Sequence, residues 1–160
     1  MKPQYFDVGQ DLPEHLAERT RLVNRRSQRP QNEFVLFRLH HAVRVHENPA
    51  VDVAITMSNR LRIPLLVYLA LPESYPNASD RHHSSIIDGV RQLQRQFYQR
   101  GIEYAFHLER RGHRGGHLRE LSERAGVVVT EELPVEPLRT RTEKLASTID
   151  VLTLCWKLEY

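Results

Sequence analysis

The chain has 160 residues, of which 40% are hydrophobic and 27% charged, a composition typical of one soluble globular domain that can bury a core without disulfides or metals. Its single cysteine excludes the disulfide-rich secreted class, and its formal net charge of +3 is too small to indicate a nucleic-acid binder by itself. The first residues lack the apolar segment of a secretion signal, and the longest apolar run is far shorter than a membrane span, so we expect a cytoplasmic protein without a membrane partner.

Residues 1–33 are polar and rich in arginine, and we interpret them as a helix and extension preceding the main domain. The segment 11–26 predicts a short helix, with Asp11 as its N-cap and Pro13 in its first turn. The cations of this extension are candidate contacts to DNA phosphates, namely Arg21, Arg25, Arg26 and Arg29. Because most other arginines alternate with acidic residues along helices, we expect DNA binding to be weak and independent of sequence.

From residue 34 to residue 160, short apolar runs alternate with longer segments of helical periodicity. Strands are predicted at 34–39, 64–71, 102–108, 127–133 and 151–156, and helices at 48–62, 80–100, 117–125 and 137–148. Asn48 followed by proline predicts one helix start, and Gly101 and Gly126 predict two helix ends. Parallel strands require crossover connections, so this order predicts an α/β fold: an open, doubly wound sheet of five parallel strands with helices on both faces.

Motifs that would assign chemistry to such a sheet are missing from the sequence. There is no P-loop, no G-x-G-x-x-G dinucleotide motif, no G-x-S-x-G nucleophile elbow and no HExxH, and we predict no catalytic residue. The nine histidines do not show the spacing of a zinc site, so we expect no metal. The glycine-rich segment 110–117 could hold an anion beside Arg111 and Arg114, but a flexible surface turn is the simpler interpretation.

The fold itself predicts where a ligand would bind. In open α/β sheets, ligands lie beyond the carboxyl ends of the strands where neighbouring connections diverge to opposite faces. With the strand at 34–39 in the centre, this crevice is bordered by the polar residues that end that strand and the strand at 127–133: Arg38, His40, His41, Arg44, Thr130, Glu131 and Glu132. Charges of both signs suit a planar heteroaromatic ligand with hydrogen-bonding edges. The alternative is that these residues only end their strands in water.

Five stretches of the sequence, in this order, carry a family resemblance: ERTRLVNRR, EFVLFRLHHAVRVHENPAVDVAI, IPLLVYLALPESYPNASDRH, IDGVRQLQRQFYQRGIEYAFHL and AGVVVT. Residues 18 to 138 resemble the N-terminal α/β domain of class II cyclobutane-pyrimidine-dimer photolyases, in the photolyase and cryptochrome family. The resemblance implies a Rossmann-like domain that holds a light-harvesting antenna such as 8-hydroxy-5-deazaflavin or a folate. The sequence departs from the family at Arg38, where class II members tend to have tryptophan.

In the family, FAD and the lesion pocket belong to a larger helical C-terminal domain, which we expect to be absent from this chain. We therefore expect no FAD here and no photorepair by this chain alone, and the resemblance implies a helical FAD-binding domain or chain as a partner. Two hypotheses stay open. The chain is either a photolyase-related domain with an antenna-binding or accessory role, or a stand-alone nucleotide-binding or regulatory module that has lost photochemistry.

Overall fold

The structure is a computed structural model that describes residues 6–29, 32–40, 43–73, 80–132, 136 and 138–157. At positions 80, 82 and 138 it describes the backbone but not the side chain. The helices are α1 (Val8–Asp11), α2 (Glu14–Ala17), α3 (Pro49–Leu61), α4 (Asp80–Tyr98), α5 (His117–Arg124) and α6 (Leu138–Thr148). The strands are β1 (Thr20–Leu22), β2 (Phe34–Arg38), β3 (Leu65–Leu71), β4 (Glu103–Leu108), β5 (Ala125–Glu132) and β6 (Thr153–Lys157).

These strands form one sheet in the order β1-β6-β5-β2-β3-β4. The strands from β2 to β6 are mutually parallel, which confirms the doubly wound α/β fold and the central position of β2. The predicted count of five strands was wrong, because β1 adds an antiparallel edge strand beside β6. The mixed sheet therefore has six strands.

The N-terminal segment also differs from the prediction. Instead of one helix over 11–26, it forms two single-turn helices followed by β1. Asp11 ends α1 rather than capping a helix, and Asp7 is the N-cap, its side chain accepting a hydrogen bond from the Gln10 amide at 3.0 Å. Thr20 turns the chain into the sheet, since its hydroxyl donates to the Leu16 carbonyl at 2.7 Å while its backbone pairs with β6.

Helices cover both faces of the sheet. On β2, Val35 and Phe37 point into a core shared with α3 and α4, whereas Phe34 and Leu36 point into a second core shared with α5 and α6. Strands buried on both faces read as continuous apolar runs, which is why β2 and β5 were recognisable in the sequence. No helix in the described part of the chain combines the length and apolarity needed to cross a membrane.

Two of the three helix boundaries predicted in the main domain are confirmed. The Asn48 side chain caps α3 by accepting from the Ala50 amide at 3.2 Å, and Gly101, with φ of +69°, ends the turn after α4. Gly126 was wrong as a helix end, because it lies inside β5. Its lack of a side chain serves packing instead, since a Cβ there would lie 2.6 Å from the Arg29 carbonyl oxygen.

Candidate functional site

The connections around the sheet diverge between β2 and β5. The chain leaves β2 for α3 on one face, whereas α5 and α6, on either side of β5 in sequence, pack on the other face. The carboxyl ends of β2 and β5 therefore border the expected ligand position of this fold. In the sheet register Arg38 lies opposite Thr130, so the two strands end side by side. We call the space beyond these two residues the β2–β5 crevice.

Arg38 is a cation with unused hydrogen-bonding capacity at this position. Its Nη1 atom is buried and has no hydrogen-bond partner within the described part of the chain. Burial lowers the pKa of Arg38, and the nearby Cys155 and Glu131 act in the opposite direction. Because a guanidinium remains charged in proteins, this arrangement favours an anionic group or a carbonyl oxygen as its partner.

Sheet register places a row of polar side chains beside Arg38 on the face covered by α5 and α6. Tyr68 of β3 lies on one side of Arg38. On the other side lies Thr130 of β5, and Cys155 of β6 lies next to Thr130 across the sheet. Burial raises the pKa of Tyr68 and raises that of Cys155 to about 12, so both are neutral donors at physiological pH. Thr142 of α6, 1% exposed, also has a buried hydroxyl without a partner among the described residues.

The sequence identified Arg38 and Thr130 but missed Tyr68, Cys155 and Thr142. Tyr68 lies in the middle of β3, so only the register of β3 against β2 shows that it lies beside Arg38. Finding Cys155 and Thr142 required the register of β6 and the packing of α6, which local patterns do not contain.

His40 and Glu131 connect the two strand ends to each other. The His40 amide donates to Glu131 Oε2 at 3.1 Å, and its ring Nε2 lies 3.0 Å from the Glu131 carbonyl oxygen. A carbonyl oxygen accepts, so Nε2 carries a proton in this geometry. These bonds assign His40 and the fully buried Glu131 to positioning the segment after β2 rather than to contacting a ligand.

The remaining predicted crevice residues are placed differently. The Glu132 carboxylate forms a bidentate ion pair with Arg21, so its acceptors are already engaged. The exposed Arg44 lines a separate cavity of about 320 Å³ against α4. His41 lies outside the described residues. Of the predicted crevice residues, this leaves the half-buried Arg38 without an assigned partner, with the fully buried Thr130 beside it.

The four predicted nucleic-acid residues do not form one surface. Arg25, Arg26 and Arg29 line a cavity of about 250 Å³ near the amino ends of the parallel strands, where Asp150 accepts from Arg29 at 2.9 Å. Arg21 points to Glu132, at the opposite end of the sheet.

Within the ranges that the structure describes, no group of three or more histidine, cysteine or acidic residues could hold a metal ion.

Comparison with known proteins adds one partial sequence match. No protein-family model matches the chain. Over 87 residues it is 34% identical to the deoxyribodipyrimidine photo-lyase of Methanothermobacter thermautotrophicus. Over about half its length, the chain is similar to a photolyase. The match covers 54% of this chain and 20% of that enzyme, so the chain spans about a fifth of the curated relative it matches.

Solved structures support the fold class. The universal stress protein of Archaeoglobus fulgidus aligns with a TM-score of 0.50 and 15% identity, covering 78% of this chain and 98% of that protein. A protein of unknown function from Pseudomonas aeruginosa PAO1 aligns with a TM-score of 0.56 and 12% identity, covering 82% of this chain and 50% of that one. At these identities the likeness concerns the Rossmann-like α/β fold alone.

Proposed function

We propose that the chain is a photolyase-related α/β domain that binds a planar antenna chromophore, an 8-hydroxy-5-deazaflavin or a folate, in the β2–β5 crevice. The observation that carries this proposal is the buried Nη1 of Arg38, which has no partner among the described residues, at the divergence point of the sheet. The partial match to a photolyase supports a relation to that family, and the resemblance in sequence implies the chromophore class.

The chemistry of the crevice suits such a ligand. Deazaflavins and pterins present ring carbonyl oxygens on a flat edge, and a planar guanidinium can donate to such an edge or stack on the ring. The Tyr68 hydroxyl, protonated at neutral pH, is a further donor in the same lateral row. Arg38 would orient the ligand, and the neighbouring apolar residues of β2 and β5 would exclude water beneath it.

In this proposal the domain does not repair DNA alone. Reversal of a pyrimidine dimer needs a reduced flavin held against a flipped-out lesion, and in the family that the sequence resembles both belong to a separate helical domain. A helical FAD-binding domain or chain is the proposed partner, with this domain as its antenna or accessory unit and with weak, sequence-independent DNA binding of its own. We propose a cytoplasmic location for this activity.

A chromophore titration tests the proposal. Purified protein is titrated with an 8-hydroxy-5-deazaflavin, a folate, ATP and FAD, and binding is followed by ligand fluorescence and calorimetry. We expect the deazaflavin or the folate to saturate in the micromolar range and Arg38→Met to weaken binding about tenfold. The matched control is Arg91→Met, which removes one exposed cation on α4.

The outcomes separate the hypotheses. If neither chromophore saturates below about 1 mM, or if the Arg38 variant binds as tightly as the original protein, the antenna proposal is wrong. Saturation by ATP without saturation by either chromophore would instead support the stand-alone nucleotide-binding module.

A further inference from the structure

A further cavity lies beyond the carboxyl end of β4, at the β4 edge of the sheet. It has a volume of about 510 Å³, and its lining includes three histidines and two arginines: His107, His113, His117, Arg110 and Arg114. We call it the histidine cavity. The glycine-rich segment 110–117, for which the sequence predicts a surface turn, forms the rim of this cavity. The β2–β5 crevice lies two strands away in the sheet.

The rim of the histidine cavity has a defined backbone geometry. Residues 110–113 form a tight turn in which the His113 amide donates to the Arg110 carbonyl at 2.8 Å, and Gly112 adopts a φ of +80° that favours glycine. This turn brings the Arg110 and His113 positions to one edge of the cavity.

Two histidine rings lie against each other in the lining of the cavity. The rings of His107 on β4 and His117 at the start of α5 meet edge to face, with centroids 4.5 Å apart. The Nε2 atom of His107 is buried and has no hydrogen-bond partner in the described residues. A Cβ at Gly115 would lie 2.7 Å from His117 Nε2, so the ring occupies space that only a glycine leaves.

Charges of both signs surround the cavity, and the cations Arg110 and Arg114 are part of its lining. Glu73 accepts from Arg114 Nε at 3.2 Å, and Glu120 lies 3.8 Å from His117 Nδ1. Neither carboxylate is among the described residues that line the cavity. Within the described part of the chain, Arg110 forms no ion pair and the buried His107 Nε2 atom has no hydrogen-bond partner, so neither is engaged by another side chain.

We propose that the histidine cavity binds the phosphate group of a small phosphate monoester. Arginine and histidine side chains that line one cavity can donate N–H groups to the terminal oxygens of a phosphate, which accept charge-assisted hydrogen bonds. The cavity is larger than an inorganic phosphate, which leaves room for the organic part of the ligand. This site is independent of the chromophore proposed for the β2–β5 crevice.

Calorimetric titration with inorganic phosphate and with AMP, at constant ionic strength set by sodium chloride, tests the proposal. We expect saturable binding of both, with AMP the tighter ligand, and a loss of about tenfold in affinity in Arg110→Gln and in His107→Gln. Gly115→Ala should also weaken binding, because the added methyl group displaces the His117 ring.

Arg111→Gln is the matched control, since it removes an exposed cation from the same loop outside the described lining. We expect it to change the affinity less than about twofold, and we expect Arg38→Met to leave phosphate binding unchanged. Circular dichroism and urea unfolding establish that each variant is folded.

The proposal is overturned if neither phosphate nor AMP saturates below about 10 mM. It is also overturned if Arg111→Gln weakens binding as much as Arg110→Gln, because the loop would then attract anions without a site. Loss of AMP binding in Arg38→Met would also overturn the proposal, because it would show that AMP binds in the β2–β5 crevice and not in the histidine cavity.

Discussion

The Arg21 guanidinium and the Glu132 carboxylate form a bidentate ion pair that joins β1 to β5 across the intervening β6. The Glu132 side chain is 6% exposed and that of Arg21 is 26% exposed, so the carboxylate is the more deeply buried partner. The pair holds the short edge strand β1 against the sheet. It also engages both carboxylate oxygens of Glu132, which are therefore not available to a ligand in the crevice.

Removal of the Arg21 charge should destabilise the fold strongly. We expect Arg21→Gln to lower the free energy of unfolding by about 3 kcal/mol, because it leaves a buried carboxylate without its cation. Glu132→Gln should cost less, since Arg21 keeps contact with water and lies 3.7 Å from Glu143. Urea unfolding provides the measurement.

The exposed Arg119–Glu123 pair on α5 is the control for that experiment, and Arg119→Gln should cost less than about 0.5 kcal/mol. Equal losses in Arg21→Gln and Arg119→Gln would show that the buried pair contributes no more than a surface pair.

A second prediction separates binding from stability at Arg38. Arg38→Met should change the free energy of unfolding by less than about 1 kcal/mol, because removing a half-buried charge whose Nη1 atom lacks a partner among the described residues is offset by losing its attraction to the buried Glu131. The same substitution should weaken chromophore binding, whereas Arg91→Met should leave both quantities unchanged. A clear loss of stability in Arg38→Met would contradict this account of its buried Nη1.

A third prediction concerns the Cys155 thiol. Burial raises the pKa of Cys155 to about 12, above its ordinary value of 9.0, so the folded state holds the proton more tightly than the unfolded state does. This contribution to stability is complete below pH 9.0 and is lost as the pH rises towards about 12.

We therefore expect urea unfolding to show stability falling above about pH 9, and less steeply in Cys155→Val. A thiol reagent at neutral pH should modify Cys155 at a rate limited by unfolding. Rapid modification of the folded protein would show that the thiol is accessible and contradict its burial.

The fourth prediction compares two glycines. Gly126→Ala should destabilise the fold by about 2 kcal/mol or more, because its Cβ would lie 2.6 Å from the Arg29 carbonyl oxygen and 2.8 Å from Ile63 Cδ1. Gly89→Ala in α4 has no atom within 4 Å of the new Cβ and should stabilise the helix by about 0.5–1 kcal/mol. Thermal unfolding of both variants measures the difference, and a shift of the same sign in both would contradict it.

The fifth prediction concerns DNA. We expect binding with a dissociation constant of roughly 10⁻⁴ to 10⁻⁶ M at physiological salt and no preference for damaged duplexes. In a plot of the logarithm of the affinity against the logarithm of the salt concentration, the double variant Arg25→Gln/Arg26→Gln should reduce the magnitude of the slope by about 1–2. The double variant Arg91→Gln/Arg95→Gln on α4 should change this slope less. Binding of damaged DNA that survives high salt would show that this domain reads lesions itself.

The amino-acid sequence alone determined the parallel core of the fold. The apolar runs of β2 and β5, the Asn48 cap of α3 and Gly101 after α4 were recognisable because strand burial and helix boundaries depend on residues close together in the chain. Since a doubly wound sheet places ligands at one topological position, the same reasoning located Arg38 and Thr130 at the crevice.

The tertiary structure decided what the local patterns left open. β1 forms because it pairs with β6, although its three residues follow a helical segment. Glu132 is engaged because Arg21, 111 residues earlier in the chain, reaches it across the sheet. Gly126 is required by the Arg29 carbonyl rather than by a helix end. Each of these contacts joins segments far apart in sequence, and the energies that select them arise from packing and pairing that exist only in the folded protein.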